Sequence, residues 1–300
     1  MTYFRQLRKF TADYRIGFLD RLKLLGLYPV FKFHYWYYYG SPFKRKLASR
    51  FFLALPKAAL VTIQLRFPSF SAPFSIPIWL RPDHLTSFQE IFWAHEYRLK
   101  GDWHPAFLID AGANIGYASL YLAGHYSIRS VLAIEANPQL YPHLERIAQL
   151  LGEAGVDMRI AKGALTGSAK ELIFQISENS RDTMMVSPSQ TSCPSSNQTA
   201  RALGFPLRSW FSKAGFEESL FHLPTLLKMD IEGGEYDLLE NDLAGFSIPN
   251  FLVAEIHGRK SRRDYFVEGL SPMWSTLERR TSSGYDDVEV LFAERSLSSK

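Results

Sequence analysis

Three short stretches of this chain gather residues whose types and spacing suit chemistry. The first is Asp110-Ala-Gly112-Ala-Asn114-Ile-Gly116, directly after the apolar run Ala106-Phe-Leu-Ile-Asp110. Glycines in such a turn let a ligand approach the backbone, and a helix starting beyond it offers unpaired N–H groups. The second is Glu135, inside Ala133-Ile-Glu-Ala-Asn-Pro138 and 19 residues beyond Gly116. An acid at that strand end can accept hydrogen bonds from both hydroxyls of a ribose. The third is Leu227-Lys-Met-Asp230-Ile-Glu232-Gly-Gly-Glu235. Its apolar lead delivers Asp230 to a carboxyl-terminal strand edge, where open α/β sheets place their ligands. A carboxylate there is costly unless it has work to do. Glu235 reads more simply as a charge complementing the start of a helix.

Spacing separates the cofactors these residues could serve. A dinucleotide fingerprint G-x-G-x-x-G starting at Gly112 needs glycine at 114 and 117, where the chain has Asn114 and Tyr117. The pattern D-x-G-x-G-x-G fits with one substitution, Asn114, and belongs to enzymes using S-adenosylmethionine. Asparagine suits the exchange because, after glycine, it best tolerates left-handed backbone angles. Asp110, Gly112, Asn114, Gly116 and Glu135 are therefore the candidate cofactor residues. If the acceptor is a hydroxyl, its proton must leave as the new bond forms. Asp230, Glu232 and His257, which ends the run Phe251 to Ile256, are the candidate catalytic groups. Asp230 and Glu232 together offer too few oxygen ligands to make a metal the first choice, and none is assigned.

The elements that must position these residues alternate between strand and helix. Short apolar runs at 106–110, 130–135, 156–162, 171–176, 226–231 and 251–256 read as strands. Helical patterns at 115–126, 138–151 and 235–241 lie between them, with a longer one over 263–280, and 285–293 closes with strand character. Such alternation predicts an α/β fold with a mostly parallel sheet covered on both faces. Residues 177–204 hold many serines and little periodicity and read as a long surface loop. Upstream, Phe4, Leu7, Tyr14, Phe18, Leu22 and Leu25 recur at helical spacing and predict one amphipathic helix over 4–25. The texture changes near residue 76, which divides the chain into an N-terminal helical region, 1–75, and a catalytic domain, 76–300.

Composition bounds the answer without deciding it. Hydrophobic residues make up 46% of the 300 and charged ones 21%, enough to bury a sizeable core. The net charge of +4 conceals an asymmetry, because residues 1–50 carry eleven Lys/Arg against Asp13 and Asp20. Such a basic, aromatic-rich segment predicts peripheral contact with an anionic membrane, while its amphipathic character makes nucleic acid a poor partner. A single cysteine excludes an intramolecular disulfide framework and suits a reducing compartment. No stretch reaches the roughly 18 apolar residues of a membrane span, and the first 30 residues lack a secretory core. The reading is a cytoplasmic protein, peripheral on the inner face of a membrane.

Taken in order, Asp110–Tyr117, Ala133–Pro138, Lys228–Glu235 and Ala254-Glu-Ile-His257 resemble the motifs of the FkbM-family methyltransferases. Trp79-Leu-Arg-Pro82 with Phe92 to Tyr97 is similar to that family's lead-in. The resemblance implies a Rossmann-like class I methyltransferase fold with a seven-stranded sheet. It also implies methyl transfer from S-adenosylmethionine to oxygen, commonly a sugar hydroxyl of a glycolipid, polysaccharide or glycosylated metabolite. By the same analogy the five residues named above hold the cofactor, and Asp230 and Glu232 lie at the acceptor side. The chain departs from the family at a Thr-Leu-Asp element, for which Pro206-Leu-Arg-Ser-Trp210 is the nearest match. The competing readings are an NAD-dependent sugar oxidoreductase or epimerase, and a membrane-surface adaptor without catalysis.

Overall fold

The structure, a computed structural model, describes residues 3–56, 59–99, 101–176, 184–186, 198–242, 244–281 and 287–295. It divides into two compact units between Glu96 and Tyr97. The expected boundary after residue 75 falls inside a hairpin, β1 (Leu60–Leu65) with β2 (Phe74–Trp79), whose antiparallel pairing keeps residues 76–79 in the first unit.

The first unit opens with α1 (Tyr3–Asp13), α2 (Phe18–Gly26), α3 (Tyr28–Tyr39) and α4 (Pro42–Ala54), and ends with α5 (Pro82–Phe88) running into a π-turn. The single helix expected over 4–25 is thus two helices. Ile16 N–H donates to Thr11 O, and Arg15 N–H to Ala12 O, around a left-handed Arg15 with φ 48°. That is a Schellman stop, with arginine where glycine is the usual choice. Leu7, Phe10, Tyr14 and Leu24 are buried, with the Phe10 ring 5.7 Å from that of Phe88 and the Tyr14 ring 6.2 Å from that of Phe92. Part of the predicted stripe therefore builds a local core.

The second unit is built on a seven-stranded sheet. Its members are β3 (Phe107–Ala111), β4 (Ser130–Glu135), β5 (Asp157–Lys162), β10 (Thr225–Met229), β11 (Phe251–His257), β12 (Trp274–Thr281) and β13 (Val288–Arg295). The order is β12-β13-β11-β10-β3-β4-β5, with only β13 running antiparallel to the others. All five residues of β3 and of β10 are buried, as central parallel strands require. The chain leaves β3 for β4 on one side and later returns to lay β10 on the other. The β3/β10 boundary is therefore the switch point at which open sheets bind ligands.

Helices α6 (Tyr117–His125), α7 (Tyr141–Glu153), α8 (Leu207–Lys213), α9 (Glu235–Asn241) and α10 (Lys260–Leu270) accompany this sheet. The helix expected over 263–280 ends at Leu270, because Pro272 stands in the turn that follows and 274–281 pairs with β13 as strand β12. The loop expected over 177–204 is also corrected. A second, four-stranded sheet has the order β6-β9-β7-β8, from β6 (Ala164–Leu165), β7 (Lys170–Ile176), β8 (Met184–Val186) and β9 (Gln198–Phe205). The remainder of 177–204 lies outside the described residues.

Candidate active site

Gly112, Asn114 and Gly116 all adopt left-handed angles, with φ 72°, 53° and 87°. The Asn-for-Gly exchange read from the sequence thus sits where asparagine is tolerated. Gly112 is required for a further reason. A Cβ there would lie 1.7 Å from the carbonyl oxygen of Asp230, so the turn after β3 rests directly on the turn after β10. The loop is tied to the end of β4 as well: Gly112 and Ala113 N–H both donate to Ile134 O at 3.0 Å.

Glu135 completes this cradle. Its Oε2 accepts Asn114 N–H at 2.8 Å and its Oε1 accepts Asn137 N–H at 2.7 Å. Burial pushes its carboxyl above the ordinary range, against those two N–H groups and the charge of Lys228. Each oxygen keeps a further lone pair for a ligand hydroxyl. Among the described residues, Asn114 Oδ1 is buried without a hydrogen-bond partner. A loop that leaves one buried acceptor unfilled beside a carboxylate fits a hydroxyl- and amine-bearing cofactor.

Asp110 sits differently. It is fully buried, with Oδ2 accepting Ser119 O–H at 2.6 Å and Oδ1 lying 3.2 Å from Lys228 Nζ. In that position it braces the loop after β3 from behind. Its partner Lys228 interrupts the otherwise apolar strand β10, the one sequence signal that a buried charge stands opposite. Register places it beside Asp110 across β3 and β10. Its ammonium donates to Gly112 O at 2.8 Å and lies 3.9 Å from Asp230 Oδ2. Burial alone would lower its pKa, but Asp110, Asp230 and Glu255 outweigh it and hold the charge. One buried ammonium thus ties the glycine loop to the acidic turn.

The acidic turn gathers all three expected catalytic residues. His257 Nε2 is 3.8 Å from Asp230 Oδ1 and 3.6 Å from Glu232 Oε2, while Nδ1 bonds Glu235 Oε1 at 2.9 Å. Glu232 sits in a left-handed conformation, φ 53°, that turns the chain sharply before α9. Glu235, read as a helix-start charge, is fully buried and orients the imidazole; its spacing alone could not show what stood opposite. Glu255 also joins the group, accepting a hydrogen bond from Tyr97 Oη.

The electrostatics follow from these distances. Burial, then the charge of Asp230, push Glu232 up to about 8, against the pull of His257. Burial disfavours charge on His257 as well, but the hydrogen bond and charge of Glu235, with Asp230 and Glu232, raise it to about 10. The imidazole is therefore a cation at neutral pH. Asp230, Glu255 and His257 also place one ligand atom each within 4.8 Å of one another. A divalent cation could use that set only after His257 gave up its proton.

A raised folded-state pKa stabilises below the unfolded value and loses its effect as pH climbs through the folded one. Replacement by His257→Gln should therefore cost roughly 3 kcal/mol below pH ~6.5, declining towards zero by pH ~10. Melting curves of both proteins over that range check this. A gap that stays constant contradicts the charged imidazole.

A sheet of this order with a reversed seventh strand, a left-handed glycine loop after its first strand and an acid ending the next define a Rossmann-like class I S-adenosylmethionine-dependent methyltransferase. The chain belongs to the FkbM family, whose methyltransferase domain matches residues 110–286. Among solved structures it is similar to the FkbM methyltransferase of Methylobacillus flagellatus KT, with 16% identity over 71% of this chain and 50% of that one, TM-score 0.44. It is also similar to a putative tRNA methyltransferase of Streptococcus pneumoniae in complex with S-adenosyl-L-methionine. There the identity is 15% over 65% of this chain and 68% of that one, TM-score 0.39. No curated protein matches the chain. Among the described residues no helix is long and apolar enough to cross a membrane.

Proposed function

We propose that this methyltransferase acts on oxygen, at a sugar hydroxyl of a glycolipid, polysaccharide or glycosylated metabolite. The observation that carries the reading is the direct seating of the glycine loop on Asp230, so that a methyl donor in the loop meets the carboxylates of the acidic turn. Glu135, Asn114 and the backbone of Gly112 and Gly116 would hold S-adenosylmethionine, and Asp110 would set the loop from behind through Lys228. When bound, that cofactor supplies an electrophilic methyl group on a sulfonium.

The rest of the work falls to side chains on the acceptor side. A hydroxyl is a poor nucleophile until its proton has somewhere to go. Asp230 Oδ1 or Oδ2 takes that proton, and Glu232, which holds its own proton up to about pH 8, donates a hydrogen bond to a neighbouring hydroxyl. His257 as an imidazolium has no free lone pair. Its part is to fix Asp230 and Glu232 in place, itself held by Glu235. Much of the remaining acceleration is alignment of acceptor and donor.

The test is to incubate the full chain with methyl-labelled S-adenosylmethionine and glycolipid and polysaccharide fractions, then locate the label. Label on a sugar oxygen is expected, and Asp230→Asn should slow its appearance by about a hundredfold or more while cofactor affinity holds. Label confined to nitrogen, or to protein or nucleic acid, overturns the acceptor class. An unchanged rate in Asp230→Asn overturns the assignment of the base.

A further inference from the structure

The first unit presents apolar side chains to solvent in a way that its own core does not need. Of the fifteen exposed large apolar residues among the described ones, eleven lie between Phe4 and Leu53. Helix α2 carries them most plainly. Phe18, Leu22 and Leu25 fall on one helical face with Leu19 beside them, and their exposures run from 43% to 73%. Leu24 and Asp20 are turned inward instead. The helix is amphipathic with its apolar side facing out, the reverse of a helix serving only a core. On α4, Phe43 is 76% exposed and Leu53 84% exposed, around the basic run Lys44-Arg45-Lys46 and Arg50.

The charge these helices leave unpaired among themselves is basic. Both acids of the first fifty residues are engaged within the unit: Asp20 pairs with Lys23 at 2.8 Å, and Asp13 with His95 at 3.0 Å. On α3, Tyr35 and Tyr39 are exposed, and Lys32 lies 5.1 Å from the ring centre of Trp36. Tyrosine and tryptophan favour the level of lipid headgroups, where a ring and a polar tip are both accommodated.

We infer that the helices opening the first unit, residues 3–56, dock the enzyme on an anionic bilayer surface, with the outward tips of α2 and α4 entering the headgroup layer. Charge complementarity selects this occupant. A second copy would bring the same basic surface against itself. A nucleic acid would satisfy the charges and leave the phenylalanine and leucine tips in water. An anionic bilayer takes both.

The experiment is co-sedimentation of the full chain with phosphatidylcholine vesicles, with and without phosphatidylglycerol, at low and at high salt. Binding is expected only to the anionic vesicles and should weaken with salt. The triple change Phe18→Ser, Leu22→Ser, Leu25→Ser alters side chains that are about half to three-quarters exposed, so the protein should stay folded with a small drop in melting temperature while vesicle affinity falls more than about tenfold. Reversal at Lys44→Glu, Arg45→Glu and Lys46→Glu should lower affinity by about a hundredfold or more. Three results overturn the inference. The full chain stays in the supernatant with anionic vesicles at low salt. The serine variant binds as tightly as the wild type. Or sedimentation velocity shows a dimer that the serine changes abolish, with no vesicle binding in the wild type.

Discussion

Gly112→Ala should leave the protein unable to reach its native stability, with a loss on the order of 3–5 kcal/mol. Two costs combine. An alanine held at φ 72° is strained by itself, and its Cβ would meet the Asp230 carbonyl at 1.7 Å, a backbone atom that cannot swing aside. The turn after β3 and the turn after β10 would have to separate. That would pull Lys228 from Gly112 O and disturb its buried pair with Asp110. Asn114→Gly is the informative contrast, since its φ of 53° is one glycine adopts freely, and its melting temperature should stay near that of the wild type. Thermal unfolding of the two variants measures both. A Gly112→Ala protein melting with the wild type would contradict the contact between the two turns. This also revises what the motif says of Gly112: the space it leaves is filled by the protein's own backbone.

Much of the sheet could be read from the chain because its central strands are buried on both faces. Runs such as Phe107–Ala111 and Ser130–Glu135 must then be continuously apolar and end abruptly at the site. The motifs were legible for a related reason, since left-handed positions and strand-end acids restrict residue choice. Edge and accessory strands were harder. Trp274–Thr281 carries Glu, Arg and Arg on an edge, and its strand character comes from pairing with β13. Gln198–Phe205 likewise becomes a strand by pairing with β7 and β6. Of the partners that tune the site, Glu235 shows no local sign of its role and Lys228 only its place within an apolar strand. Lys228 meets Asp110 across 118 positions of sequence, and Glu235 meets His257 across 22. The break at Arg15 was hidden because arginine stands at a helix stop where glycine would have announced it.

Glu135→Ala should weaken S-adenosylmethionine binding by about a thousandfold, since two hydrogen bonds to a charged acceptor are each worth ~1.5–3 kcal/mol. The carboxylate also holds the loop, so its removal strands the N–H groups of Asn114 and Asn137. Glu135→Gln separates the two functions. One carbonyl oxygen remains to accept from the loop or from the ribose, and affinity should fall by a smaller factor while the melting temperature changes less than in the alanine variant. If both substitutions leave affinity untouched, the cradle at the end of β4 does not hold the cofactor.

The most direct measurement is a calorimetric titration of the full chain with S-adenosylmethionine and, separately, with NAD, repeated for a Glu135→Ala protein confirmed as folded by its melting curve. The site described above predicts saturable binding of S-adenosylmethionine, no heat from NAD, and the loss of binding when Glu135 is removed. Equal affinity in the variant, or saturable binding of NAD by the wild type, would contradict it.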